Sequence, residues 1–207
     1  MLISHRINYL GASNASRVFA QCDGIEFDLR DSAGILVVVH DALTPGQPFC
    51  EFLTFCDPSK FYIVNIKCEG IEAAAISLLE ARGIRNFFLL DCSIPAMIRL
   101  GKAGEKRLAV RFSEYESLQT VECMKSFVSW VWIDTFTRLP ITADILETFK
   151  RHGLKTCLVS PELQQQPERI EEYIADMKSQ GLTIDAVCTK APYLATWRLS
   201  SLFPCPS

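Results

Sequence analysis

Short apolar runs recur along this chain and alternate with segments of helical period. The runs cover residues 2–5, 24–29, 35–39, 61–67, 86–90, 108–111, 130–134, 155–159 and 184–188. Helical periodicity covers residues 15–21, 71–81, 94–101, 118–127, 143–152 and 167–180. Gly83, Gly153 and Gly181 each closely follow a helical segment and fit C-terminal caps. Residues 161–167 read as a loop leading to an N-terminal Pro167 and an acidic first turn at Glu168. Repeated strand–helix units are the pattern of a parallel sheet covered by helices.

The count of units constrains the architecture further. If runs 24–29 and 35–39 are one strand with a hairpin arm turning at Asp31-Ser32-Ala33-Gly34, about eight units remain. That predicts an α/β chain folded as a compact (β/α)8 TIM barrel, a single domain over residues 1–207. The chain lies near the ~200-residue lower limit for this architecture. A doubly wound open sheet is the alternative. Two features favour the barrel. No glycine-rich phosphate loop follows the first run. Polar residues also recur at the C-terminal ends of many runs: His5, Arg6, Asp28, Lys67, Asp91, Arg111, Asp134, Ser160 and Thr189. Barrel sites draw on many strand ends, whereas open sheets concentrate chemistry at one switch point.

Composition narrows the partners. A length of 207 residues with 49% hydrophobic content suits one domain with a large core, or at most two small ones. A net charge of −3 and the absence of a long basic stretch exclude non-specific nucleic-acid binding. No run reaches the ~20 apolar residues of a membrane span, and no signal-peptide pattern opens the chain. Nine scattered cysteines without a CxxC read as reduced core thiols of a cytoplasmic protein. No Cys/His spacing suits zinc.

Chemistry concentrates near the start, where two of the three histidines close apolar runs as His5-Arg6 and His40-Asp41. His5 can exchange a proton near neutral pH. Arg6 offers a planar fork matching two phosphate oxygens. Glu26 and Asp28 sit at strand period and so share one face. Turned into a barrel mouth, paired carboxylates need a balancing cation, and hard oxygen donors suit Mg²⁺ or Ca²⁺. Asp41 ranks low as an orienting group, because adjacent strand residues point apart.

These segments resemble the glycerophosphodiester phosphodiesterase family of phospholipase C-like barrels. That family opens with His-Arg-Gly, continues to Pro-Glu-Asn-Thr and Glu-x-Asp, and closes a hairpin with His-Asp. Here the corresponding stretches are His5-Arg6-Ile7, Ala12-Ser13-Asn14-Ala15, Glu26-Phe27-Asp28 and His40-Asp41. Val64-Asn65-Ile66-Lys67 is similar to a strand ending Glu-x-Lys in the family, and Thr189-Lys190-Ala191-Pro192 to one ending Thr-Asp-x-Pro. The resemblance implies a phosphoric diester hydrolase of lipid metabolism acting on a small phosphodiester. It makes His5 and His40 the acid/base pair and Arg6 a phosphate ligand. Glu26 and Asp28 become ligands of the divalent metal, and Lys67 a neutralising group for transition-state charge.

Four departures accompany it. Asn65 stands where the family has a metal-binding carboxylate, so it ligates as a neutral oxygen with weaker affinity. Ile7 replaces a glycine and alters the first loop. Lys190 replaces an acid and makes the mouth more basic, a further substrate contact. The family's insertion after the hairpin is missing, and residues 41–60 form only a short loop, which speaks against glycerophosphocholine as substrate. Arg111 reads as a second anion contact or a structural ion pair, with Glu114 or Glu116 as its partner, and Asp91 as a site residue or the N-cap of the following helix. Trp132 reads mainly as core filling and His152 as a helix cap. The tail from Trp197 to Phe203 is expected on the barrel bottom or against a neighbouring subunit of a homodimer. The competing function is a non-catalytic protein that holds a phosphorylated ligand in the same mouth.

Overall fold

The computed structural model describes residues 1–200 together with Leu202 and Phe203. Each predicted apolar run becomes a strand: β1 (Leu2–Ser4), β2 (Gly24–Ser32), β3 (Ile35–Val38), β5 (Phe61–Ile66), β6 (Phe87–Leu90), β7 (Ala109–Phe112), β8 (Trp130–Ile133), β9 (Lys155–Val159) and β10 (Ala186–Thr189). The two-residue β4 (Gln47–Pro48) was not expected. Helices follow as α1 (Ala15–Gln21), α2 (Phe49–Phe52), α3 (Glu72–Ala81), α4 (Ile94–Lys102), α5 (Leu118–Met124), α6 (Ala143–Arg151), α7 (Ile170–Ser179) and α8 (Leu194–Leu199). None is long and apolar enough to cross a membrane among the described residues.

Parallel pairing runs β6-β5-β2-β1-β10-β9-β8-β7 in one curled sheet. Its two ends meet at the single bridge Leu89–Leu108, supported by a 2.8 Å hydrogen bond from Leu89 N–H to the Arg107 carbonyl. This order agrees with the expected ring and disagrees with a doubly wound sheet, but one edge is joined by a bridge and not by a ladder. β3 extends antiparallel from Leu29–Ser32, above the level where β1 pairs with Gly24 and Ile25. The turn between β2 and β3 places Ala33 and Gly34 at φ of 52° and 84°, the two left-handed positions of a tight hairpin.

The period-two pattern splits the core in two. Leu2, Ile25, Phe27, Leu29, Tyr62, Val64, Leu89, Val131, Leu158 and Val187 face outward under the helices. Ile3, Ile63, Phe88, Ala109, Trp130, Trp132, Cys157 and Cys188 fill the inside of the curl. Because Ile25, Phe27 and Leu29 lie outside, Glu26 and Asp28 must lie inside.

Gly24 marks the tightest point of this packing. A Cβ there would fall 2.2 Å from the Phe61 carbonyl oxygen and 2.9 Å from Ile3 Cδ1. Backbone cannot yield as a side chain does, so Gly24→Ala is expected to cost about 3 kcal/mol or more. A denaturant midpoint equal to that of the wild type would contradict this register.

Several local expectations change. α8 packs against β1 and buries Trp197, whose Nε1 donates to Ser160 Oγ at 2.7 Å. Ser160 follows the C-terminal end of β9, so α8 covers the outer wall, whereas the Leu202 carbonyl accepts from Ile184 N–H at 3.4 Å just ahead of β10, at the bottom of the sheet as expected. The end of the tail, Ser201 and residues 204–207 with Cys205, lies outside the described residues. The eight described cysteines are free; Cys22, Cys92, Cys157 and Cys188 are buried, but Cys50 and Cys123 are exposed, so they are not all core thiols. His152 caps α6 through its backbone N–H, as expected.

Candidate functional site

The C-terminal ends of the strands carry the polar residues. β1 ends at Ser4, and His5 N–H still donates to the Thr189 carbonyl at 2.8 Å. The chain then reverses at Arg6, whose φ is +54°. A left-handed arginine costs roughly 1–2 kcal/mol. It aims Arg6 N–H at Glu26 Oε2, 2.7 Å away, and lets Ile7 N–H donate to the Glu26 carbonyl at 2.8 Å. The altered loop expected from Ile7 thus has its left-handed residue one position earlier.

Glu26 and Asp28 are each 1% exposed. His5 Nε2 lies 3.6 Å from Glu26 Oε2, and Asn65 Nδ2 donates to Glu26 Oε1 at 3.1 Å. Burial first, and Asp28 second, push the Glu26 carboxyl up to about 7. Burial first, then the Arg6 charge, lowers His5 to about 4, so its imidazole is neutral at physiological pH. Asp28 is better compensated. Asn8 donates to Oδ2 at 2.8 Å, Lys67 Nζ lies 3.4 Å from Oδ1, and Arg6 Nε lies 3.8 Å from Oδ2.

Lys67 begins a chain of ion pairs across the mouth. Its Nζ also sits 3.3 Å from Asp91 Oδ2. Arg111 Nε donates to Asp91 Oδ1 at 2.7 Å, and Nη1 contacts Asp134 Oδ2. Asp134 further accepts from Trp132 Nε1 and Gln164 Nε2, both at 3.0 Å. Burial alone would raise Asp91; Arg111, with Lys67 behind it, overcomes that and holds the carboxyl below the usual range. For Asp134 burial outweighs Arg111, and its carboxyl rises.

These contacts overturn one expectation and decide between two alternatives. Arg111 pairs with Asp91 and Asp134, because Glu116 is bound by Ser113 Oγ and Glu114 by Thr137. Asp91 is not the cap of α4; Ser93 is, accepting from Ala96 N–H. Asp91 instead faces Lys67 and Arg111.

His40 follows β3. Val39 N–H donates to the Asp28 carbonyl at 2.9 Å, and Arg30 bonds both the His40 and Lys67 carbonyls at 2.9 and 3.0 Å. The hairpin arm is thereby tied to the ends of β2 and β5. Asp41, ranked low from the sequence, lies with Oδ1 2.7 Å from His40 Nδ1. The pair sits past the end of the strand, so the strand rule that would have separated the two side chains does not apply. That hydrogen bond first, with the Arg6 and Arg30 charges behind it, lowers the Asp41 carboxyl.

Lys190 is exposed and makes no ion pair among the described residues. Its N–H donates to Glu162 Oε1 at 2.9 Å, where Thr189 Oγ1 also donates at 2.7 Å and Ser160 Oγ contacts Oε2. Ser160 and Thr189 thus serve a buried carboxylate that holds β9 to β10. Glu162→Gln would set amide hydrogens against these donors and is expected to cost about 2–3 kcal/mol in a denaturant titration. An unchanged midpoint would remove Glu162 as their shared acceptor.

Asn8 and Arg30 were missed in the sequence. Asn8 Oδ1 accepts from Asp28 N–H at 2.9 Å while its Nδ2 holds the carboxylate, a two-point clasp. A lone asparagine in an irregular segment gives no periodic signal. Arg30 acts on carbonyls, which every residue carries.

Among the described residues no three His, Cys, Asp or Glu side chains form a metal-binding group. Glu26 and Asp28 supply two carboxylates, and Asn65 adds an amide oxygen. Asn65 Oδ1 is buried and has no hydrogen-bond partner. An orphaned oxygen beside two carboxylates fits a hard divalent cation.

Fold and site together define an α/β protein with a parallel curled sheet and a polar mouth of carboxylates, basic groups and imidazoles. No protein-family model matches the chain, and no curated protein matches it in sequence. Solved structures do share its fold. A glycerophosphodiester phosphodiesterase from Agrobacterium tumefaciens is 16% identical over 94% of this chain and 98% of its own, with a TM-score of 0.65. A phosphodiesterase from Oleispira antarctica, in complex with the product sn-glycerol-3-phosphate, is 17% identical over 97% of both chains, with a TM-score of 0.66. The glycerophosphodiester phosphodiesterase from Thermotoga maritima is 18% identical over 96% and 97%, with a TM-score of 0.57. The chain therefore has the fold of glycerophosphodiester phosphodiesterases, at an identity that carries fold alone.

Proposed function

We propose that this protein is a phosphoric diester hydrolase, a single (β/α)8 barrel domain over residues 1–207 that cleaves a small phosphodiester in the cytoplasm. The observation that carries the reading is the setting of His5. Its imidazole stands against a buried carboxylate pair, with the guanidinium of Arg6 and the ammonium of Lys67 beside that pair. Product binding in the Oleispira antarctica relative supports a small phosphorylated ligand.

Arg6, Lys67 and the exposed Lys190 hold the phosphate. Arg111, spent on Asp91 and Asp134, orders the Lys67 side of the mouth and gives only a secondary anion contact. His5, neutral through burial, takes the proton from the attacking hydroxyl or water. His40, with Asp41 on Nδ1, keeps Nε2 for the leaving oxygen and donates the proton there. Glu26, Asp28 and Asn65 would hold a divalent cation, Mg²⁺ or Ca²⁺. Bound there, it would neutralise phosphate charge as a Lewis acid.

Mass-spectrometric analysis of a phosphodiester panel incubated with the protein and either metal tests the proposal. Cleavage of at least one diester by the wild type, lost in His5→Ala, is expected. A panel left intact, with phosphorylated ligands still bound, would favour a non-catalytic binding protein, the reading that Asn65 supports.

A further inference from the structure

We propose that a cavity between α4 and α5 receives an apolar alkyl arm of the phosphodiester, so that the substrate class is a diester with one hydrocarbon-chain alcohol. This rests on the phosphodiesterase reading and deepens it. The cavity measures about 390 Å³, within the range of small-molecule sites. It opens where the sheet is least closed: β6 and β7 meet only at Leu89–Leu108. Beyond that bridge the Asp91–Arg111 ion pair takes the place of strand pairing, and these two side chains line the cavity. Asp91 also contacts Lys67, so the cavity adjoins the phosphate-binding part of the mouth. A larger cavity of about 610 Å³ lies around Lys155 and Thr156 at the start of β9, away from the site.

The lining favours hydrocarbon because most of its polar side chains already have partners within the protein. Asp91 and Arg111 bind each other, Glu116 accepts from Ser113 Oγ, and Ser117 caps α5 by accepting from Thr120 N–H. A polyol arm would find few free partners, and unpaired hydroxyls are costly. Met97 and Val110 supply buried apolar wall. Ile94 and Tyr115 stand at the cavity 50% and 73% exposed, two large apolar side chains that a hydrocarbon arm would cover. Tyr115 is held by Phe136, with ring centroids 5.8 Å apart.

Calorimetric titration with methyl phosphate and octyl phosphate, below the micelle concentration and with or without Mg²⁺, tests this independently of turnover. Wild-type protein is expected to bind octyl phosphate at least tenfold tighter than methyl phosphate. Thr120→Trp, which fills the cavity, should bring the two within about threefold and leave methyl phosphate unchanged. If that variant fails to fold, Ile94→Glu at the exposed rim carries the same expectation. Equal affinities in the wild type, or a preference that survives in the folded variant, would overturn the assignment. Methyl phosphate binding without an octyl advantage removes the cavity alone; no binding of either ligand removes the phosphate site and this proposal with it.

Discussion

Alanine in place of His5 or of His40 is expected to lower turnover of a genuine phosphodiester by about 10²–10⁴-fold each. Folding stability should change by about 1 kcal/mol or less, because neither imidazole is a core side chain. The two losses should then part company on an ester with a good leaving group. His5 sits against Glu26 and is neutral, which suits a proton acceptor. His40 is bonded to Asp41 through Nδ1, which fixes the ring and leaves Nε2 for the leaving oxygen, the place of a donor. A p-nitrophenolate leaves without a proton, so a p-nitrophenyl diester should restore His40→Ala and not His5→Ala. Steady-state rates on both esters decide this. Full activity of both variants on the natural substrate class would end the mechanism; rescue of His5→Ala instead would exchange the roles.

The parts of this site that were legible in the sequence are those that obey a period. Glu26 and Asp28 alternate with Ile25, Phe27 and Leu29, so one fact about the strand places both carboxylates. His5 and Lys67 could be read because each follows an apolar run. What escaped depends on distance in space between residues remote in the chain. Arg111 could be placed at a strand end, but its partners could not, since Asp91 and Asp134 reach it from the neighbouring strands β6 and β8. Asp41 was discounted by a strand rule that lapses one residue past Val38, where β3 ends. Trp197 was assigned to the wrong surface because α8, six residues long, leaves too short a pattern to give its direction. The strand order was legible for the opposite reason: repeated units leave few ways to arrange a parallel sheet.

A divalent cation is expected to raise the thermal midpoint of the wild type, and Glu26→Ala/Asp28→Ala should abolish that shift. The argument turns on unequal compensation of the two carboxylates. Asp28 already faces Asn8, Lys67 and Arg6, whereas the buried Glu26 accepts hydrogen bonds only from neutral donors, and the Lys67 charge offsets its burial only in part. Asn65 contributes an oxygen with no partner but no charge. The site is therefore incomplete in charge more than in donors. Asn65→Asp should tighten metal binding roughly tenfold or more, about 1.4 kcal/mol, if the side chain keeps its place. Calorimetric titration of Mg²⁺ and Ca²⁺ into both proteins measures the difference directly. Unchanged or weaker affinity in Asn65→Asp would take Asn65 out of the metal's reach. Equal metal-induced shifts in the wild type and the double variant would do the same for Glu26 and Asp28, leaving Arg6 and Lys67 as the charges that answer the phosphate.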